Sequence, residues 1–330
     1  MRKTQIKSPP DYWLLGIVLL LLLIGLFLVF NTSFVLPSIK SNVVKDPQYF
    51  LLKQGIFSIV GLFCMVFLMF LDLKIIKKLT FPIVAITLIG MIAVLFVGNE
   101  AYGAKRWLPV GSFQFQPSEL QKIAVVLYLA YYFSAIKGRI RSLNQWWKVA
   151  LFLLPVAVLT LYQKDLGTVS VIAIAFIVFI ICAGVPFRQW FPIAMLGIVL
   201  IGIFIYIEPY RLQRFLALAD PWEYYSQQGY QPAQSILAIA RGGLFGMGLC
   251  QGRGKVFIPE SHTDYIFSTF SEELGLVGSL ILLSLFFGFT YRAFIIAQKS
   301  KSSYGSLLAI GCMSMISVQA IINISVACNI

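Results

Sequence analysis

The sequence predicts an all-α polytopic membrane protein, and three observations carry that prediction. Of its 330 residues, 59% are hydrophobic and only 12% charged, a balance well outside that of a soluble domain. Nine apolar runs approach or reach the roughly 20 residues a spanning helix needs. Basic residues gather in the short connections between those runs, as they do on the cytoplasmic side of membrane proteins.

In chain order, the runs are Tyr12–Phe30, Gly55–Leu73, Leu79–Val97, Leu120–Ile136, Val149–Tyr162, Gly167–Val185, Trp190–Ile207, Leu274–Tyr291 and Leu307–Cys328. The first follows a basic start, Met1-Arg2-Lys3, but it is too long for a signal-peptide core and has no small-residue cleavage site. It therefore remains as a spanning helix. With the N-terminus in the cytoplasm, the inside segments hold Arg2, Lys3, Lys7; Lys74, Lys77, Lys78; Lys137, Arg139, Arg141, Lys148; Arg188; and Arg292, Lys299, Lys301. The external segments are then Asn31–Gln54, Gly98–Glu119, a turn around Lys164-Asp165, and a large loop of about residues 208–273 between the seventh and eighth helices. The whole, residues 1–330, reads as a single integral membrane domain. Its C-terminus falls outside, and the lack of a polar tail after the last run makes the chain read as C-terminally incomplete.

Several function classes are disfavoured. The net charge of +13 would suggest nucleic acid in a soluble protein, but here it is topological, and no nucleic-acid partner is expected. Cys64, Cys182, Cys312 and Cys328 lie in apolar runs and Cys250 in a Gly-rich stretch, so neither a disulfide framework nor a zinc site is implied. Gly254-Lys255 is followed by Val256 and lacks the upstream glycine of a phosphate-binding P-loop. The run Gly242-Gly243-Leu244-Phe245-Gly246-Met247-Gly248 does not have dinucleotide spacing.

Three constellations carry chemistry. In the first, Gly103-Ala104-Lys105-Arg106-Trp107 and Gln116-Pro117-Ser118-Glu119 suit an interfacial segment that offers cations to a headgroup. Simple anchoring explains Trp beside basic residues equally well, and Ser118 reads as an N-cap. Glu119 and Lys122 stand three apart on one helix face, in reach of an ion pair. Lys122 is either structural support or a substrate contact. In the second, Asp165 of Gln163-Lys164-Asp165 caps the next helix or takes part directly in chemistry.

The third is the long external segment. There Gly229-Tyr230-Gln231 and Gln234-Ser235 precede the glycine run, with Arg241, Arg253 and Lys255 close in sequence. Glycines that permit close backbone approach, next to cations, suit a phosphate-bearing ligand; a solvated flexible loop is the alternative. Asp264, where loop becomes helix, is the sharpest acid/base candidate, since partial burial would raise its pKa into a usable range. Ser261-x-x-Asp264 also matches a capping pattern. His262 is the only histidine and reads as a neighbour of the site.

Together with Asp165-Leu166-Gly167-Thr168 and Pro259-Glu260, these blocks resemble, in order and spacing from about Asp46 to Ala320, the signature of the FtsW/RodA/SpoVE (SEDS) family. The resemblance implies a ten-helix membrane glycosyltransferase that polymerises lipid II into glycan strands outside the bacterial cytoplasmic membrane. It places the catalytic carboxylate at Asp264. Arg106, Lys122, Arg214 and Arg241 become candidates for the leaving diphosphate, and Glu119, Asp165, Gln231, Gln234 and His262 for substrate binding. A divalent cation, Mg or Mn, is the cofactor the family suggests, although no metal cage is visible in the sequence. A class B penicillin-binding transpeptidase and other divisome proteins are the implied partners. Asp46-Pro47 with Phe50-Leu51 and Gln54 looks more like the septal FtsW branch than the elongation RodA branch. Phe30-Asn31-Thr32-Ser33 departs from the family's usual Tyr-Ser-Ala-Ser, and a tenth helix is missing after Ile330. Lipid II transport is the alternative function, and a remnant that only docks partners is a third.

Overall fold

A computed structural model describes residues 9–33, 49–101, 104–111, 113–136, 145–259, 261 and 263–330. Arg2, Lys3, Lys7, Lys137, Arg139, Arg141, Asp46 and Gly103 lie outside the described residues. The helices are α1 (Tyr12–Ser33), α2 (Tyr49–Phe70), α3 (Leu73–Val97), α4 (Pro117–Ala135), α5 (Trp146–Tyr162), α6 (Leu166–Cys182), α7 (Phe187–Ile207), α8 (Pro209–Ala219), α9 (Tyr230–Gly242), α10 (Gly254–Phe257), α11 (Ile266–Lys299) and α12 (Ser303–Cys328). Strands β1 (Asn99–Ala101), β2 (Ala104–Val110) and β3 (Phe113–Phe115) stand between α3 and α4.

Each of the nine apolar runs lies on a helix. Among the described residues, α1, α2, α3, α7, α11 and α12 are long and apolar enough to cross a membrane, and α5 and α6 are shorter apolar helices. Their outward faces carry Phe63, Phe67, Leu196 and Ile198 in the open, an arrangement that needs lipid rather than water around it. Pro82, Pro155 and Pro192 sit inside helices, as spanning helices tolerate.

The chain divides into two compact units, one of Met1–Leu71, Ile205–Arg292 and Ile321–Ile330, the other of Asp72–Phe204 and Ala293–Ala320. In the second unit α4 is the buried element. Its Phe133 meets Phe179 of α6 edge to face at 5.5 Å, and Gln121 donates to Thr160 of α5 at 2.9 Å. A Cβ on Gly311 of α12 would come within 2.6 Å of Val126. Being enclosed by protein, α4 carries buried Ser118, Gln121 and Lys122, which explains why it is the least lipid-like of the nine. In the first unit Leu28, Ala238, Ile258, Tyr265, Phe267, Phe270, Leu282 and Ala327 form one core cluster.

Two expectations change. The external segment Gly98–Glu119 is not a loop but an antiparallel sheet in the order β1-β2-β3, with Leu108 opposite Phe115 and Glu100 opposite Lys105. The segment 208–273 is largely helical: α8 begins at Pro209, whose fixed φ suits a first helical position, and α9 and α10 follow. Helix boundaries also run past the apolar cores. Lys74, Lys77 and Lys78 lie in the opening turns of α3, and Arg292 and Lys299 within α11, because backbone hydrogen bonding continues after hydropathy falls.

Candidate functional site

Asp264 stands in the turn that leads into α11, and its side chain is exposed. The partial burial expected of it is therefore not found, because the apolar neighbours Tyr265, Phe267 and Phe270 turn into the core instead. Ser261 is not the first residue of a capping pair either. It is buried, α11 starts only at Ile266, and the Ser261 hydroxyl donates to the Lys255 carbonyl at 3.3 Å. Beneath Asp264, burial pushes the Tyr265 phenol above its usual range, while the positive charge of Arg214 opposes this and the negative charge of Asp264 adds to it. Arg214, on the exposed side of α8, and Asp264 thus act on one hydroxyl.

Helix α9 supports this region. The Ser235 hydroxyl bonds the Ser268 hydroxyl and the Ala327 carbonyl, tying α9 to the start of α11 and the end of α12. Gln234 is buried and donates to the Tyr225 hydroxyl at 2.7 Å, and Gln231 is half-buried on the same helix. The sequence has Gln234 as a substrate contact, whereas its amide is already engaged inside the protein. His262 lies outside the described residues.

The glycine run packs against a break in helix α11. Helix α11 breaks at Gly275, where φ is +66°, and the run fills the hydrogen bonds that the break exposes. Met247 and Gly248 donate to the carbonyls of Glu272 and Glu273 at 2.9 and 3.1 Å, while Leu276 and Val277 donate to Gly243 and Leu244 at 2.9 and 3.1 Å. At Gly242 that contact leaves no room for a side chain, since a Cβ there would lie 2.1 Å from the Ser271 carbonyl oxygen.

Two carboxylates, which the sequence shows only as part of a landmark, are fully buried at this break. Glu272 accepts from the Gly254 N–H at 2.7 Å and pairs with Arg241 at 3.5 Å. Glu273 accepts from Asn31 at 2.5 Å, the Cys250 N–H at 3.0 Å and the Lys255 ammonium at 3.1 Å. Buried charges persist only when they are paired and hydrogen-bonded, and both of these are. Arg241 and Lys255 thus face carboxylates, and Arg241, its side chain 36% exposed, retains the more open position.

The other candidates belong to the second unit. Arg106 on β2 donates through Nε to the Gln163 carbonyl at 3.1 Å and through Nη2 to the Lys164 carbonyl at 2.6 Å, which meets the negative end of α5 with a cation. Asp165 caps α6, accepting from the Thr168 N–H at 3.1 Å and the Thr168 hydroxyl at 2.9 Å. Gln116 donates to Ser118 at 2.9 Å and reaches Asp165 at 3.5 Å. Ser118 is consequently buried inside α4, whose N-cap is Gln116 and whose first residue is Pro117, so the N-cap reading of Ser118 is corrected. Lys122 pairs with Glu119 at 2.7 Å, as the three-residue spacing predicts, and also donates to Gln319 at 3.0 Å.

Asp165→Ala is expected to lower stability by about 1 kcal/mol, the usual cost of losing such a cap, whereas Asp165→Asn keeps an acceptor and most of that stability. Thermal unfolding in detergent reads both. An Asp165→Asn protein as stable as the parent but inactive would move this carboxylate from support to chemistry.

The match to the FtsW/RodA/SpoVE family, described as cell cycle protein, covers residues 12–330. The chain belongs to this family. Stage V sporulation protein E of Bacillus subtilis is 36% identical over 98% of this chain and 88% of its own length. The probable peptidoglycan glycosyltransferase FtsW of Aliivibrio salmonicida is 34% identical over 97% of this chain and 80% of its own. Two solved structures have the same FtsW/RodA/SpoVE fold. A chain of a peptidoglycan synthase complex, described as coordinating polymerisation and crosslinking, has a TM-score of 0.78 at 28% identity over 97% of this chain and 88% of its own. The rod shape determining protein RodA of Thermus thermophilus has a TM-score of 0.68 at 26% identity, over 96% and 85%. This is a multi-pass membrane protein of that family.

Among the described residues no three or more His, Cys, Asp or Glu side chains stand together as a metal-binding group. The two acidic neighbours in the first unit, Glu272 and Glu273, face Arg241 and Lys255 instead.

Proposed function

We propose that this chain is a peptidoglycan glycosyltransferase that polymerises lipid II into glycan strands during septal wall synthesis. The observation that carries the reading is the placement of Asp264, an exposed carboxylate at the head of α11, in a chain whose relatives include the probable peptidoglycan glycosyltransferase FtsW. A carboxylate open to solvent is accessible to an acceptor hydroxyl, as a general base must be.

In the reaction, Asp264 takes the proton from the 4-hydroxyl of the acceptor N-acetylglucosamine. The freed oxygen attacks the anomeric carbon of the donor's N-acetylmuramic acid, forming the glycosidic bond. The bond from that carbon to the diphosphate breaks, and undecaprenyl diphosphate leaves with its electron pair. Negative charge grows on the leaving oxygen, and cations fixed near it lower the barrier most. Arg214, exposed and acting on the same tyrosine as Asp264, is the first cation assigned to it, and Arg241 the second. Arg106 and Lys122, both hydrogen-bonded within their own unit, are assigned to holding their segments in shape.

The protein is placed in the bacterial cytoplasmic membrane with its N-terminus inside, because Lys74, Lys77, Lys78, Lys148, Arg188 and Lys299 then all fall on the cytoplasmic side. Segment 208–273 faces outward, where lipid II is consumed. A class B penicillin-binding transpeptidase is the proposed partner, consistent with a similar chain in a complex that couples polymerisation to crosslinking.

The purified protein, reconstituted with fluorescent lipid II and no other polymerase, is expected to yield glycan strands that resolve as a ladder on gels and are cleaved by lysozyme. Movement of labelled lipid II across the vesicle membrane with no polymer formed would favour transport instead.

A further inference from the structure

We propose that Asn31, Lys255 and Glu273 are positioning residues: together they lock the segment between Lys255 and Tyr265 onto α11 and so fix Asp264 in its reactive place. The inference rests on the reading of Asp264 as the base, and goes beyond it by assigning a role to the buried charges on either side of its segment.

The three side chains close a ring. All three N–H bonds of the Lys255 ammonium are used, by the Asn31 amide oxygen at 2.7 Å, the Cys250 carbonyl at 2.9 Å and Glu273 at 3.1 Å. The Asn31 amide nitrogen in turn donates to Glu273 at 2.5 Å. The Lys255 and Glu273 side chains are 6% and 1% exposed. A buried ion pair of this kind adds little stability over apolar residues of the same shape, while removing one partner alone is strongly disruptive. Its effect is to specify geometry.

The geometry specified is that of the segment carrying Asp264. From Lys255 the chain runs through Ile258, which is buried in the core cluster. It then passes Ser261, whose hydroxyl bonds back to the Lys255 carbonyl, and enters α11 at Ile266. One end of this short segment is held by the buried ammonium and the other by the helix that also bears Glu273. Asn31 extends the hold to the end of α1.

The test uses the full-length protein with Lys255→Met, Glu273→Gln and the double variant. Each single variant leaves one buried charge without its counter-charge, whereas the double variant removes both charges and retains an acceptor for the Cys250 N–H. Initial rates of lipid II polymerisation are measured per folded molecule, the folded fraction being set by size exclusion. A second readout is the maleimide labelling rate of Thr263→Cys, an exposed position, in a chain whose five native cysteines are replaced by alanine. Both single variants are expected to lose ten-fold or more in kcat with KM within two-fold and to label at least five-fold faster. The double variant is expected to recover to within about three-fold of the parent in both readouts. Wild-type kcat per folded molecule, or an unchanged labelling rate, in the single variants overturns the proposal. If Asp264→Asn in the parent still makes polymer, the base assignment is what has failed, and the labelling rates still decide whether the ring holds the segment.

Discussion

Asp264→Asn is expected to reduce glycan polymer formation by about 100-fold or more, the contribution a positioned general base commonly makes, with the protein still folded. The side chain is exposed at a turn, where a near-isosteric change alters stability by less than about 0.5 kcal/mol. Asparagine keeps the shape and a hydrogen-bond acceptor but cannot take a proton from the acceptor hydroxyl. The loss should therefore appear in kcat, while lipid II still binds and the thermal unfolding midpoint stays near that of the parent. Polymer formed at the parent rate by a folded Asp264→Asn protein would remove Asp264 from the chemistry.

Gly246→Ala is expected to be the most destabilising conservative change in the same region, costing about 3 kcal/mol or more, at the severe end for single substitutions. Gly246 has φ +83°, and a Cβ there would lie 2.1 Å from the Glu273 carbonyl oxygen and 2.4 Å from its carbon. An L-residue in a left-handed conformation costs about 1–2 kcal/mol before any clash, and here the clashing atoms are backbone that cannot rotate away. Gly61→Ala is the matched control. It lies within α2 with nothing within 4 Å of its added Cβ, and alanine improves a helix interior by about 0.5–1 kcal/mol. Detergent-solubilised protein should show a clear drop in unfolding midpoint for the first and none for the second. Equal midpoints for the two variants would mean that the glycine run does not pack against the break in α11 as described.

What could be seen in the sequence followed the range of the forces involved. Spanning helices are legible because burial in lipid acts on about 20 consecutive residues at once, so the runs from Tyr12 to Cys328 marked each one. Local pairings were equally plain: Glu119 and Lys122 meet because they are three apart, and Asp165 caps the helix that begins one residue later. The small sheet is not legible because two of its strands, Asn99–Ala101 and Phe113–Phe115, have only three residues and leave no alternation. Helices α8 and α9 were hidden in what reads as a polar loop, since amphipathic helices lack the unbroken apolar run that was the marker. The ring around Glu273 could not be seen at all. Asn31 is 242 residues away from it in sequence, and no local pattern distinguishes a buried Glu-Glu pair from a solvated one. Long-range partners also decided Arg106, which meets the end of α5 from 57 residues away.

The break at Gly275 bears on how a helix of this length fits a membrane. An unbroken helix of 34 residues would be about 51 Å long at 1.5 Å per residue, far more than the roughly 30 Å of hydrocarbon it has to cross. As one rod, it would have to lean steeply or carry its first turns well clear of the surface, and every change in lean would swing the end nearest Asp264. Divided at Gly275, the stretch from Leu276 to Lys299 is about 36 Å long, close to what the bilayer requires, and the nine residues from Ile266 to Leu274 take their own direction. The break leaves a spanning part near the thickness of the hydrocarbon, while the glycine run, bonded on both sides of Gly275, fixes the direction of the nine residues that lead from Asp264.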